Sequence, residues 1–313
     1  MKNLFFLILF CSLSITVAAK QLSFNKQEQD DSYQFNYHWL DAKQEEKQLS
    51  FSLSKDLLFN RFRNFKRYQA NIANQYINKS ILKTWRKEPH NNSQLTLRKK
   101  QGRYELQLSS NNDKDLALAQ KKLAELEQKA RKSYLEKHFY HQFITYDGQL
   151  AIKPDHQRIA QLSVDDFKPI KPLILAEVDI KNIRYATNYV LSFSQAIPYS
   201  PLESRRTSSG AGFNPPAKLL WENQGDCDSK VTLTAAILRS LMPRVKIILV
   251  FIEGHALIGI EARQEGNDMT INYDNTTFVL GEPTGPASLA LGKVSIDSEQ
   301  AILNGLYTVE VVE

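Results

Sequence analysis

The sequence contains very little cysteine. Cys11 and Cys227 are the two cysteines in 313 residues, and the six histidines are scattered without pairs at metal-ligand spacing. A cysteine-based zinc site needs closely spaced ligand pairs, so it is excluded. Twelve glycines and eleven prolines are too few for a collagenous chain. With 42% hydrophobic and 24% charged residues, the composition is that of a globular protein and excludes a wholly disordered chain.

A strong excess of one charge is also absent. The 40 Lys and Arg residues face 34 Asp and Glu residues, which leaves a formal net charge of +6. A run of charge over residues 121–132 follows helical spacing, but acidic residues interrupt the basic ones and no aromatic residues flank them for stacking on bases. We interpret this run as the solvated face of a helix and predict no nucleic-acid partner.

The apolar run at the start of the chain is too short to serve as a membrane span. Residues 4–17 are apolar, whereas a spanning helix needs about 20 such residues. A short basic start precedes the run, and residues 17–19 are the small residues that a signal peptidase reads. The pattern predicts a signal peptide over residues 1–19, cut after Ala19. It also predicts a periplasmic or secreted protein with no stable membrane span after cleavage.

Removal of the signal peptide would leave Cys227 as the single cysteine of the mature chain. Exported proteins that keep cysteines usually pair them in disulfides, and Cys227 has no partner within the mature chain. A lone thiol in an oxidising compartment is a buried inert residue, one half of an intermolecular disulfide, or a reactive nucleophile. The cysteine count alone leaves these three roles open.

Residues 20–170 mix strand patterns with helix patterns. Apolar residues alternate with polar ones in residues 33–39 and 49–53, as in half-buried strands. Helical spacing follows in residues 55–83 and again in residues 116–134. Further short strands are predicted near residues 95–97, 104–108 and 144–152. We therefore predict an N-terminal mixed β/α module of unknown role over residues 20–170.

The character of the sequence changes near residue 170. Pro169 and Pro172 break either periodicity, so we interpret residues 167–172 as a linker. Residues 179–195 then show a helical pattern, and a strongly apolar helix is predicted to follow Cys227. Strands are predicted at residues 246–252, 255–262 and 277–281. This order of elements predicts an α+β fold with a second domain over residues 171–313.

Cys227 lies between a glycine-containing turn and the first turn of the apolar helix. Unpaired amides and the helix dipole at this position favour a thiolate. The neighbouring Asp226 and Asp228 oppose that effect electrostatically, although Asp228 is also a candidate for capping the helix amides. A thiolate nucleophile needs an imidazole beside it, which holds the charge as an ion pair and protonates the leaving group.

His255 is the only histidine in residues 171–313, and it opens a predicted strand directly after a glycine. A third group, Asp or Glu, must fix the ring tautomer from an adjacent strand. Glu282 ends the last predicted strand, and we assign it this role. Asp274, on the turn before that strand, is the competing candidate, although an Asp at a turn commonly bonds its own backbone.

These motifs resemble the transglutaminase-like superfamily in its bacterial form. The relevant segments are Gly-Asp-Cys-Asp-Ser-Lys at residues 225–230, Gly-His-Ala at 254–256 and Glu-Pro-Thr at 282–284. In that superfamily a Cys opens a buried helix, a His opens the next strand, and an acid ends the strand after it. The resemblance covers about residues 178–295, and the acid, which is usually Asp, is a glutamate here.

The resemblance implies a papain-like transglutaminase core, in which the helix bearing Cys227 packs on an antiparallel sheet bearing His255 and Glu282. It implies an exported thiol enzyme that hydrolyses or transfers peptide or isopeptide amide bonds through a thioester. The substrate would be a protein or peptide of the cell envelope. The alternative is a catalytically degenerate scaffold that acts as a peptide- or envelope-binding module. No cofactor is expected. Some exported members require calcium, and the acids near the motif form no EF-hand-type loop, so a calcium requirement stays open.

Overall fold

The computed structural model describes residues 18–313 except residues 101, 102, 205, 207 and 209. Residues 1–17, which make up most of the predicted signal peptide, lie outside the described residues, so the signal peptide stays a prediction.

The first part of the chain forms three small antiparallel sheets and several helices within the described residues. Its elements, in chain order, are β1 (Lys20–Glu28), β2 (Ser32–Leu40), β3 (Glu46–Ser54), α1 (Lys55–Asn60), α2 (Ala70–Lys87), β4 (Ser93–Lys100), β5 (Arg103–Ser110), α3 (Asp113–Lys137), β6 (Tyr140–Ile144), β7 (Leu150–Pro154), α4 (His156–Ser163), a 3-10 helix (Asp165–Ile170) and α5 (Lys171–Glu177).

The predicted strands at residues 33–39 and 49–53 are confirmed as β2 and β3, which form a three-stranded sheet with β1. Their alternation places one aromatic or aliphatic residue in every two on a buried face, and Phe35 stands opposite Phe51. Trp39 on the same face is buried and donates a hydrogen bond from Nε1 to Ser192 Oγ at 3.0 Å. The sheet therefore packs into the part of the chain that follows residue 170.

The predicted helix over residues 55–83 is divided into α1 and α2. The residues between α1 and α2 have apolar side chains at helical spacing, but their backbone forms a turn and not a helix. The ring of Phe62 meets that of Phe139 at 5.1 Å, and the ring of Phe65 stacks on Tyr140 at 5.3 Å. Tertiary aromatic contacts have thus overridden a local helical pattern.

A second, smaller hydrophobic core lies between α2, α3 and the β4–β5 hairpin. The buried face of α2 carries Ala73, Ile77, Ile81 and Trp85, each four residues after the last. The predicted helix at residues 116–134 is confirmed as α3, and Asn112 caps it by accepting a hydrogen bond from the Asp115 amide at 2.9 Å.

The interpretation of residues 167–172 as a linker is wrong. This segment contains the end of the 3-10 helix and the beginning of α5. Pro172 falls in the first turn of α5, where a missing amide hydrogen removes no helical hydrogen bond. Phe167, Ile170 and Ile174 are buried in the main core. The division of the chain at residue 170 stays a prediction, but the hydrophobic core is continuous across it.

The second part of the chain is a helical layer on a five-stranded antiparallel sheet. Its elements are α6 (Ile183–Ala196), α7 (Pro216–Glu222), α8 (Cys227–Leu241), β8 (Ile247–Ile252), β9 (His255–Ile260), β10 (Thr270–Tyr273), β11 (Thr276–Gly281), α9 (Ile296–Leu303) and β12 (Thr308–Val312).

The five strands lie in the order β10-β11-β9-β8-β12, and α8 packs against β8 and β9. Most side chains of α8 are buried, because α4, α6 and α7 cover its other sides. The helices predicted at residues 179–195 and after Cys227 and the three predicted strands are confirmed. The described chain is therefore a mixed α+β protein built on antiparallel sheets. No helix among the described residues has the combination of length and apolar character that crossing a bilayer requires.

Candidate active site

Cys227 is the first residue of α8, as the motif predicts. The chain reaches it through Gly225, whose amide donates to the Pro198 carbonyl oxygen at 3.2 Å. A Cβ at Gly225 would lie 2.7 Å from Leu219 Cδ1, so the close packing of this turn favours glycine. The thiol therefore stands at a fixed position at the amino end of a buried helix, where the helix dipole favours negative charge.

Asp226, rather than Asp228, caps the helix. The extended backbone of Asp226 lets its Oδ1 accept the Ser229 amide at 3.0 Å, together with a short hydrogen bond from the Ser229 hydroxyl. Asp228 lies inside the first turn, and its carboxylate is 3.5 Å from Nε2 of the buried His156. The predicted role of Asp228 as the cap is therefore wrong, because the residue before the helix has the backbone geometry that capping needs.

His255 is held at the beginning of β9 by a tight hairpin. Ile252 at the end of β8 pairs with His255, and the intervening Gly254 has φ +67°, a conformation that favours glycine. Nδ1 of His255 lies 3.0 Å from Cys227 Sγ. The two residues, 28 positions apart in sequence, are thus in hydrogen-bonding contact.

Glu282 follows β11 directly and is buried. Its Oε1 accepts two hydrogen bonds from Ser295, one from the amide and one from the hydroxyl, both at 2.9 Å. Its Oε2 lies 3.6 Å from His255 Nε2. One carboxylate oxygen is therefore anchored at the start of α9, while the other faces the ring nitrogen opposite the sulfur.

Asp274 lies at the other end of β11, on the turn from β10, and is exposed. With Asn275 it forms the hairpin turn, and both residues have positive φ (46° and 56°). This is the turn role that the sequence favoured for Asp274. Since β11 runs antiparallel to β9 with Gly281 opposite Ile258, the end that carries Glu282 is the one near His255.

The electrostatics of His255 and Glu282 are those of an ion pair. Burial alone would lower the pKa of His255, but the contacts with Cys227 and Glu282 outweigh it and raise the pKa to about 10. Burial would raise the pKa of Glu282, but the contacts with His255, Ser298 and the Ser295 amide lower it to about 2. The imidazole is therefore charged and the carboxylate ionised throughout the neutral range.

Lys230 is a buried cation one helical turn after Cys227. It is fully buried, and its ammonium group makes a short hydrogen bond to the Ile197 carbonyl oxygen at the end of α6. Burial lowers the pKa of Lys230 to about 8, against the opposing influence of Cys227 and Asp226. No role was predicted for Lys230 from the sequence, although a lysine directly before the apolar residues of this helix was a visible signal.

Two cavities meet at His255. A cavity of about 420 Å³ lies beside Cys227, and one of about 540 Å³ lies beside Glu282. The side chain of Tyr146, at the tip of the β6–β7 hairpin, lines both. Together they form a cleft, with the thiol and imidazole at its centre, in the size range of ligand pockets.

One wall of the cleft comes from the N-terminal half of the chain. Phe143 and Lys153 on the β6–β7 hairpin line the cavity beside Cys227. The sequence predicted this hairpin but gave no indication that it meets the thiol, because such contacts depend on tertiary packing. No group of side chains among the described residues is arranged to hold a metal ion.

Comparison of the chain with models of protein families, with curated proteins and with solved structures found no match. The geometry of the cleft is therefore what indicates a function for this chain.

Proposed function

We propose that this protein is an exported thiol enzyme that hydrolyses or transfers peptide or isopeptide amide bonds. Cys227 is the nucleophile, His255 the general acid and base, and Glu282 the residue that orients the imidazole. The observation that carries the proposal is the ordered contact of sulfur, imidazole and carboxylate, at 3.0 Å and 3.6 Å, at the centre of an open cleft. A transglutaminase-like, papain-like core is part of the same proposal.

The chemistry begins with the charge pair. The Cys227 thiolate attacks the carbonyl carbon of the substrate amide, and a tetrahedral intermediate forms. His255 then donates the proton on Nδ1 to the departing amine nitrogen, so that the C–N bond breaks and a thioester remains. Water or a second amine attacks the thioester, and the neutral imidazole accepts its proton. The thiolate leaves, and the original charge pair is restored. This sequence needs no metal or organic cofactor.

Glu282 supports this cycle from the other side of the ring. Its carboxylate is held by Ser295 and aimed at Nε2, so Nδ1 stays directed at the sulfur while its proton is transferred. The carboxylate also stabilises the imidazolium whenever that form is present. A buried carboxylate with no such partner would be neutralised by proton uptake.

Alkylation of Cys227, the one cysteine expected in the mature chain, tests the proposal directly. If Cys227 and His255 form a thiolate–imidazolium pair, iodoacetamide should label Cys227 at a rate that stays nearly constant from pH 9 to pH 6. An ordinary thiol with a pKa of about 8.5 would lose most of its rate over that range. A His255→Asn variant should show the ordinary profile. If the wild-type rate falls like that of an ordinary thiol, the site is not an activated thiol and the proposal fails.

The cellular substrate can be sought by comparing exported proteins from cells with wild-type enzyme and with Cys227→Ala. Removal of the sulfur abolishes nucleophilic attack but leaves the cleft walls in place. A protein that is cleaved or cross-linked only with the wild type is the expected result. Identical patterns would instead support the alternative of a binding scaffold without turnover.

A further inference from the structure

The cavity beside Cys227 has aromatic walls. Phe143, Tyr146, Tyr199 and Phe251 line it, and about half of the surface of Tyr146 and Tyr199 is exposed (49% and 56%). Exposed aromatic faces beside a nucleophile can hold the apolar stem of a substrate side chain or attract a cation through the ring electrons. The charges in the cavity decide which side chains suit it.

The positive charge of Lys153, the one lysine among the residues that line this cavity, is already paired. Lys153 Nζ lies 2.6 Å from Glu310 Oε1, and it is 3.6 Å and 4.4 Å from the ring centres of Phe251 and Phe143. Its side chain is only 13% exposed. The positive charge of Lys153 is therefore engaged by an acid and two rings and does not attract an anionic ligand.

The carboxylate of Asp228, by contrast, has no Lys or Arg partner among the described residues. Its side chain is 37% exposed and lines the same cavity. Its neighbour at 3.5 Å is His156. Burial lowers the pKa of His156, so this imidazole is neutral at neutral pH and does not compensate the carboxylate.

Acidic groups also surround Tyr199. Its pKa is raised by burial and then by four acidic groups around it, namely Cys227, Asp226, Glu203 and Asp228. An exposed aromatic face among carboxylates is the combination that binds lysine and arginine side chains, with the stem on the ring and the charged head at the acid.

Building on the proposed function, we propose that the cavity beside Cys227 selects a basic side chain, lysine or arginine, next to the amide that reacts. The stem lies against Tyr199, and the charged head pairs with Asp228. Peptides with an acidic side chain at that position are rejected, because the carboxylate of Asp228 would repel it.

Two matched irreversible probes test this specificity. Both are peptidyl acyloxymethyl ketones of the same length. One carries lysine beside the reactive ketone, and the other carries norleucine, which has the same stem without the ammonium group. Wild-type protein should be labelled about tenfold faster by the lysine probe, and Asp228→Asn should bring the ratio of the two rates close to one. Glu105→Gln, which removes an exposed acid from β5, should keep the wild-type ratio.

The outcomes separate the two proposals. Equal rates for the two probes in the wild type, or a lysine preference that survives Asp228→Asn, would overturn the basic specificity. So would iodoacetamide labelling without labelling by either probe, since the cleft would then accept neither side chain. If the proposed function itself is wrong, the rate of Cys227 labelling by iodoacetamide will fall with pH like that of an ordinary thiol. That measurement does not depend on the side chain of a peptide. A salt-sensitive lysine preference supports a charge pair at Asp228.

Discussion

At the scale of single residues, the proposed role of Glu282 is to orient His255. It is one methylene longer than the aspartate usual at this position in the family that the sequence resembles. The structure accommodates that length by fixing one carboxylate oxygen on Ser295, which leaves the other directed at the ring. Burial alone would raise the pKa of Glu282, but its contacts with His255, Ser298 and the Ser295 amide outweigh that effect and lower the pKa to about 2, so the glutamate stays ionised. A buried acid held in this way has a fixed geometry, as an orienting group requires.

Replacement of Glu282 by glutamine should lower amidase activity or low-pH labelling of Cys227 about a hundredfold. The glutamine keeps the volume but removes the charge that stabilises the imidazolium, and this loss corresponds to about 2.7 kcal/mol of transition-state stabilisation. Asp274→Asn is the control and should stay within about threefold of the wild type. The reverse result, a large loss for Asp274→Asn and a small one for Glu282→Gln, would show that the assignment of the third residue is wrong.

Lys230 is the second residue whose charge reaches the sulfur. Its ammonium group is buried and bonded to the Ile197 carbonyl oxygen, so it cannot move away from the first turn of α8. Because burial lowers its pKa to about 8, the cation is present below that pH and is lost above it. The positive charge should therefore help to stabilise the thiolate only on the acid side of pH 8.

Replacement of Lys230 by methionine should slow labelling of Cys227 by about tenfold at pH 4, below the range in which the wild-type rate is constant, and leave the rate at pH 10 nearly unchanged. Tenfold corresponds to about 1.4 kcal/mol of lost charge stabilisation. Rates with iodoacetamide across this range provide the measurement, and Lys218→Met on α7 is the matched control. A uniform change at every pH would mean that Lys230 serves only to join α8 to α6.

At the scale of elements, the amino end of α8 carries an unusual cap. An N-cap carboxylate is normally stabilised in its charged form by the helix amides. Here burial, followed by repulsion from Asp228, raises the pKa of Asp226 to about 7, despite the hydrogen bonds from Ser229. The folded state therefore holds a proton that the unfolded chain, with a carboxyl pKa of 3.8, would release.

The stability of the protein should consequently fall as the pH rises from about 4 through 7. A group with a raised folded pKa stabilises the fold below its unfolded pKa, and that contribution is lost as the folded pKa is passed. Asp226→Asn keeps an oxygen acceptor for the Ser229 amide but cannot ionise. The free energy of unfolding, measured with urea, should fall between pH 5 and pH 8 in the wild type. In this variant the fall should be smaller by roughly 2 kcal/mol. An equal change in the free energy of unfolding in both proteins would show that Asp226 does not titrate in this range.

At the scale of the whole molecule, one hydrophobic core joins the β1–β3 sheet to the helices α6 and α8. The residues between α1 and α4 leave this core and form the smaller one around α2 and α3. They leave and return at the same place, since His138 Nδ1 lies 3.0 Å from the Asn64 carbonyl oxygen. The excursion therefore has the connectivity of an inserted unit, and its last part, the β6–β7 hairpin, reaches the cleft.

Two truncations should separate the inserted unit from the rest of the fold. A chain in which a short Gly-Ser linker replaces residues 65–137 should unfold cooperatively and keep activated labelling of Cys227, because its main core stays intact. A fragment of residues 171–313 should not fold alone, since it lacks the sheet that covers α6. Calorimetry and labelling provide the measurements. A stable fragment beginning near residue 170 would instead support the predicted domain boundary.

Local patterns in the sequence were enough to predict most of the elements that position the site. Alternation in β2 and β3, helical spacing in α3 and the apolar sequence after Cys227 each reflect a face buried at the period of its own backbone. The positions of Cys227, His255 and Glu282 could also be predicted from the sequence, because each residue lies at the end of a helix or strand. Less regular segments were not predicted correctly. No strand was predicted for the residues of β1, and the two prolines near residue 170 concealed a buried helical segment.

The tertiary structure alone decided which of these elements meet. The sequence by itself determined that a thiol opens a buried helix, that an imidazole opens a strand, and that acids stand at both ends of a later strand. Only the antiparallel register of β9 and β11 brought Glu282, and not Asp274, to the ring. Only packing brought Lys153 and Tyr146 to the cleft. Local periodicity follows from the backbone of each segment, whereas contacts between distant segments depend on the folding of the whole chain.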